Sequence, residues 1–130
     1  MDVDPTQRPR RSRLTRSGDF DAVYRKGKSA SNRHLVVYAF RREGAAPGDD
    51  ARLGVSVSRK VGGAVERNRI KRVVREQFLQ FAGDLPDGVD FVAIAKPGTF
   101  EYLEEQGGAA LGARLGELLG KVAGPSLAGA

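Results

Sequence analysis

Residues 59–75 read RKVGGAVERNRIKRVVR. Seven basic side chains (Arg59, Lys60, Arg67, Arg69, Lys71, Arg72 and Arg75) stand against one acid, Glu66. Gly62 and Gly63 let the backbone turn, and a helix is expected from about Ala64. At about 100° per residue, Ile70, Val73, Val74, Phe78 and Phe81 gather on one side of it. Asn68, Lys71, Arg72 and Arg75 fall on the other, with Arg69 at the margin and Arg67 near the first turn. One face is core and the other a cationic stripe.

Such a stripe has two readings, a solvated helix face or a polyanion site. A helix that needs only solubility interleaves Glu with Lys at four-residue spacing and gains from each pair. Here the charges share one sign, so they repel one another until a polyanion relieves them. Arginine matches phosphate oxygens through two parallel N–H donors. The stripe therefore predicts nucleic-acid contact.

The 130 residues suit one domain with one core, and 40% hydrophobic residues suffice to fill it. With no Cys there is no disulfide framework or thiolate metal site, and a single His excludes most zinc arrangements. No apolar run resembles a signal peptide or approaches the roughly 20 residues of a membrane span. A soluble cytoplasmic protein is expected, with no membrane partner and no obligate protein partner. Net charge is +6 and unevenly spread. Residues 1–75 carry 19 basic and 8 acidic side chains, and residues 76–130 carry 3 and 8. One electropositive surface is implied.

Outward from the central stretch, Leu53–Ser58 alternates Leu53, Val55 and Val57 with Gly54, Ser56 and Ser58, a half-buried strand with a small-residue face. Leu35–Phe40 alternates likewise, placing Val36, Tyr38 and Phe40 on one side. Residues 43–50 form a Gly/Pro/Asp loop. Val89–Ala95 (VDFVAIA) is nearly continuous apolar chain and suits a central strand. Ser17 can cap a short helix to about Lys26, with Phe20, Val23 and Tyr24 on one face; core packing is the plain reading of these aromatics. A last helix from about Phe100 carries Leu103, Leu111, Leu115, Leu118, Leu119 and Val122. Its glycines each cost up to about 1 kcal/mol, so an interruption is expected near Gly107 and Gly108. Residues 1–13 form a basic flexible arm, 14–122 the domain and 123–130 a flexible tail. Three strands and three helices predict an α+β two-layer sandwich, a sheet with helices packed on it.

These blocks resemble the protein subunit of bacterial ribonuclease P from about Leu14 to Leu119. The centre of the likeness is Arg67-Asn68-Arg69 within Val65–Arg72. Gly54–Gly62 is similar to the family's strand and turn. Phe20–Gly27, Asn32-Arg33 and Ala95–Gly98 also fit. The resemblance implies a mixed sheet like that of the second domain of ribosomal protein S5, with a left-handed βαβ crossover and a further short strand. The general rule for such crossovers is right-handed.

It further implies binding to a catalytic RNA that removes the 5′ leader of precursor tRNA, with Mg2+ held mainly by RNA and substrate. By position, Arg67, Asn68, Arg69, Lys71, Arg72 and Arg75 meet the catalytic RNA. Phe20, Tyr24, Tyr38, Ser56, Arg59 and Lys60 form the cleft for the single-stranded leader. Aromatic stacking tolerates any base and suits a leader of varying sequence. Asn68 either reads an RNA edge or braces a neighbouring loop.

Catalysis by the protein alone requires a general base or carboxylates gathered around metal. His34, Asp19, Asp21, Asp49 and Asp50 offer no such constellation, and no catalytic or metal-binding residue is expected. A structural RNA-binding protein, such as a ribosomal component, remains the alternative. A DNA-binding regulator fits less well, because no second helix-turn-helix element is present.

Overall fold

In a computed structural model, which describes residues 27–42, 44, 46 and 48–123, the apolar run Val89–Ala95 lies inside a four-stranded sheet. It is β4, after β1 (Lys28–Ser31), β2 (Leu35–Arg41) and β3 (Arg52–Val57), and the sheet order is β1-β2-β4-β3. β3 and β4 run parallel while the other pairs are antiparallel, so the sheet is mixed. The helices are α1 (Ala64–Phe81), α2 (Thr99–Gln106) and α3 (Gly108–Val122). The architecture is α+β, as expected. Because β3 and β4 are parallel, α1 is the crossover of a βαβ unit.

Alternation sorts the sheet into two faces. Leu35, Val37 and Ala39 of β2, Leu53 and Val57 of β3, and Val89, Phe91, Ala93 and Ala95 of β4 join one core with the helices. Ile70, Val73, Val74 and Phe78 of α1 enter it, as their spacing predicts, and Phe81 packs at its rim. Phe78 meets Phe91 edge-on with ring centroids 5.8 Å apart. Each fully buried Leu, Ile or Phe contributes about 1.5–3 kcal/mol.

Two sequence expectations change. A fourth strand, β1, was not predicted in this stretch, because Lys28–Ser31 (KSAS) has no apolar alternation. Antiparallel pairing with β2 supplies its bonds. The glycines of the last helix also do more than weaken it. The expected break falls at Gly107, whose φ of +91° disfavours any side chain. Gly108, Gly112 and Gly116, four residues apart, instead face Val73, Gln77 and Phe81 of α1. A Cβ on Gly112 would lie 2.1 Å from Gln77 Oε1, so the two helices approach more closely than side chains would allow.

The arm at 1–13, the helix expected over 17–26 with Phe20 and Tyr24, and residues 124–130 of the tail lie outside the described residues.

Candidate nucleic-acid interface

Beyond the core face of α1, the basic residues stand where the helical period puts them. Asn68, Arg69 and Arg72 are exposed, and Arg67, Lys71 and Arg75 are half-buried. Arg67 is fixed at the helix start, where its Nε donates to the Gly62 carbonyl at 3.2 Å. Glu66, in the first turn, suits the positive end of the helix dipole and leaves the stripe's charge almost intact. Val65, which the sequence reading did not single out, is 79% exposed, one turn before Arg69. Arg69 Nη1 lies 2.7 Å from Glu104 Oε2 on α2.

The strand register builds a second surface on the sheet side away from the helices. Ser29, Tyr38, Val92 and Gly54 form one row across the four strands, and Ser31, Val36, Ile94 and Ser56 form the next. Tyr38 and Ser56 therefore share a face, two strands apart. Tyr38, Phe40 and Ile94 pack around buried Val92. From this face β3 runs directly into Ser58, Arg59 and Lys60, all exposed, and then into α1. A turn closed by Val61 N–H donating to the Ser58 carbonyl at 3.0 Å makes the bend.

A third row holds Phe40, Asp90 and Arg52. Asp90, inconspicuous in its apolar run, is only 2% exposed. Arg52 grips it through Nε at 2.8 Å and Nη2 at 2.7 Å, and Arg42 donates to the same carboxylate. Only a paired charge is tolerated at that depth.

Two blocks singled out in the sequence, Asn32-Arg33 and Ala95–Gly98, meet at a corner. Asn32 Oδ1 accepts from the backbone N–H groups of His34 and Leu35 at 3.1 and 2.9 Å. Its Nδ2 donates to the Arg114 carbonyl of α3 at 3.0 Å. Lys96 Nζ donates to the Asn32 carbonyl at 2.6 Å, and Thr99 Oγ1 to the His34 carbonyl at 2.8 Å. These bonds tie the start of α2 to the start of β2. His34 stacks on Tyr102 with ring centroids 4.1 Å apart, a structural placement. Burial lowers its pKa below 6.5, and the charges of Arg33, Arg114 and Lys96 lower it further.

Among the described residues no three His, Asp or Glu side chains converge on a point that could hold a metal ion. No described helix is long and apolar enough to cross a membrane.

The ribonuclease P family model matches residues 9–121. The chain belongs to this family. The ribonuclease P protein component of Brevibacillus brevis is 43% identical over 74% of this chain and 77% of its own length. That of Oleidesulfovibrio alaskensis is 51% identical over 67% and 68%. The Thermotoga maritima ribonuclease P protein superposes with a TM-score of 0.73 at 36% identity, covering 88% of this chain and all of its own. The Staphylococcus aureus protein gives 0.71 at 33%, over 87% and 98%. The mixed sheet and its helices are thus the architecture of ribonuclease P proteins.

Proposed function

We propose that this chain is the protein subunit of ribonuclease P and assists removal of the 5′ leader from precursor tRNA in the cytoplasm. Arg67, Asn68, Arg69, Lys71, Arg72 and Arg75 bind the catalytic RNA. The sheet face with Tyr38 and Ser56 receives the single-stranded leader, Arg59 and Lys60 meet its phosphates, and the family resemblance adds Phe20 and Tyr24 to the same cleft. One observation carries this reading: β3 leads from that face, through Arg59 and Lys60, straight into the cationic helix. A strand lying on the sheet and an RNA lying on α1 would be neighbours.

The protein's contribution is binding and alignment. Cations on α1 neutralise phosphates and release counterions. Tyr38 offers a stacking plane indifferent to base identity. Mg2+ would be held mainly by the RNA and the substrate, where it would supply activation of the attacking water, and the residues of this chain would bind and align the RNA around it. Held at two surfaces, the substrate is presented to the catalytic RNA in fixed register.

Reconstitution tests this. Protein is mixed with a bacterial ribonuclease P RNA, limiting Mg2+, and precursor tRNA with or without its leader. Faster cleavage and tighter binding only with the leader support both surfaces. RNA binding without either effect would leave a structural RNA-binding protein. Cleavage by RNA-free protein would contradict the division of labour.

A further inference from the structure

Among the described residues two large apolar side chains are exposed, Val65 at 79% and Leu79 at 46%, and both belong to α1. Neither serves the core, which takes Ile70, Val73, Val74 and Phe78 from the same helix. At 100° per residue, Arg72 lies within about 20° of Val65 and Leu79 within about 40°, so the three share one line along the outer side of α1. Arg69 is exposed beside that line, and Glu76 is the acid on it. Glu66, the other acid of the helix, folds back over its start: a Cβ on Gly63 would lie 2.8 Å from Glu66 Oε1. A single apolar side chain left in water needs no explanation. Two that bracket a row of arginines, while the sheet, α2 and α3 expose none, mark the ends of a surface.

We infer that Val65 and Leu79 are contact residues for the catalytic RNA, each packing on sugar carbons or an unstacked base face, so that the RNA lies along α1 from its first turn to its last. The inference rests on the proposed RNA-binding role of α1. The two positions are about 21 Å apart at 1.5 Å per residue. Cations between them neutralise phosphates of any polyanion, and that attraction carries no sequence information. An apolar contact is short-ranged and forms only where the surfaces fit, and proteins that read RNA use its ribose edges and unstacked bases in this way. One such contact at each end fixes where the RNA sits along the helix and excludes a crossing at Arg67–Arg69 alone. Charge decides the occupant. A protein face covering Val65 and Leu79 would bury Arg69 and Arg72 unless it brought acids for them, whereas RNA carries the countercharge with it.

The test titrates wild type, V65S, L79Q, the apolar replacements V65I and L79M, and R72A with a ribonuclease P RNA across a range of salt concentrations. V65S and L79Q should each weaken binding about three- to ten-fold, the scale of partly burying one such side chain. The factor should be the same at every salt, because an apolar contact releases no counterion. R72A should instead change the salt slope, and V65I and L79M should bind as wild type does. An unrelated structured RNA of equal length, held by charge alone, should lose less than about two-fold in V65S and L79Q. Urea unfolding of both variants should stay close to wild type, since both positions are exposed. Unchanged affinity in V65S and L79Q, while R72A weakens binding, would overturn the inference alone. A loss of stability in place of affinity would assign the two side chains to the fold, and dispersal of a dimer would assign them to a second copy; either would overturn it too. Wild type without affinity for ribonuclease P RNA would overturn the functional reading of α1 and the inference with it.

Discussion

Gly116 of α3 lies against the ring of Phe81 in α1, so closely that a Cβ there would come within 2.7 Å of Cζ. Gly120, one turn on, has nothing within 4 Å. The same substitution should therefore have opposite signs at the two positions. Gly116→Ala forces the Phe81 ring outward and should cost about 1–2 kcal/mol. Gly120→Ala should stabilise by up to about 1 kcal/mol through helix propensity. Urea unfolding of both variants checks this, and two shifts of the same sign would contradict the packing described.

Asp90 is the buried anchor of Arg42 and Arg52. Asp90→Asn keeps the shape but removes the charge that both guanidinium groups face. A loss of about 3 kcal/mol is expected, since breaking a buried pair leaves its partners uncompensated. A loss below about 1 kcal/mol would show the carboxylate to be dispensable.

Arg72 is exposed on α1, so Arg72→Ala should leave stability within about 0.5 kcal/mol of wild type. Its affinity for ribonuclease P RNA should fall, and the slope of log affinity against log salt should shrink by about 1. An unchanged slope would remove Arg72 from the phosphate contacts.

His34 gives a pH dependence with a definite sign. Its folded pKa lies below the ordinary 6.5, so on acidification the unfolded chain takes up the proton first. This group's contribution to stability is whole above 6.5 and is lost as pH falls through the folded pKa. His34→Phe keeps the stack on Tyr102 and removes the titration. Unfolding free energies at pH 7.5 and 5.5 should differ less in the variant than in wild type. An equal difference would place the acid sensitivity elsewhere.

Where a residue's environment is set by its own neighbours in sequence, the sequence could be read. The period of Ile70, Val73, Val74 and Phe78 gave the buried face of α1, and hence its cationic one. The alternation in β2 and β3 set Tyr38 opposite Leu35 and Val37, and Ser56 opposite Leu53 and Val57, and the register with β4 then brought the two onto one face. What escaped depends on partners far along the chain. Lys28–Ser31 becomes a strand only because β2 lies beside it. Asp90 looked incidental until the register set Arg52 next to it. Gly112 and Gly116 read as weak helix formers because their use appears only when α1 packs on them. Glu104 was one acid among several until the fold carried it to Arg69. Phe20 and Tyr24 lie outside the described residues, and their part of the cleft rests on the family resemblance.

The strand order has a consequence for how the chain is made. β4 separates β2 from β3, and its residues are synthesised after both and after α1. Until Ala95 has emerged, the β1–β2 hairpin and β3 have no common neighbour, and the apolar side of α1 has no complete sheet to cover. The nascent chain thus carries its charged helix in the open while the centre of the sheet is still missing. Such non-local pairing is slow to form. Mutual repulsion among the arginines of α1 adds to the delay, so an anion that quiets them should speed the closing of the sheet as well as steady the finished fold.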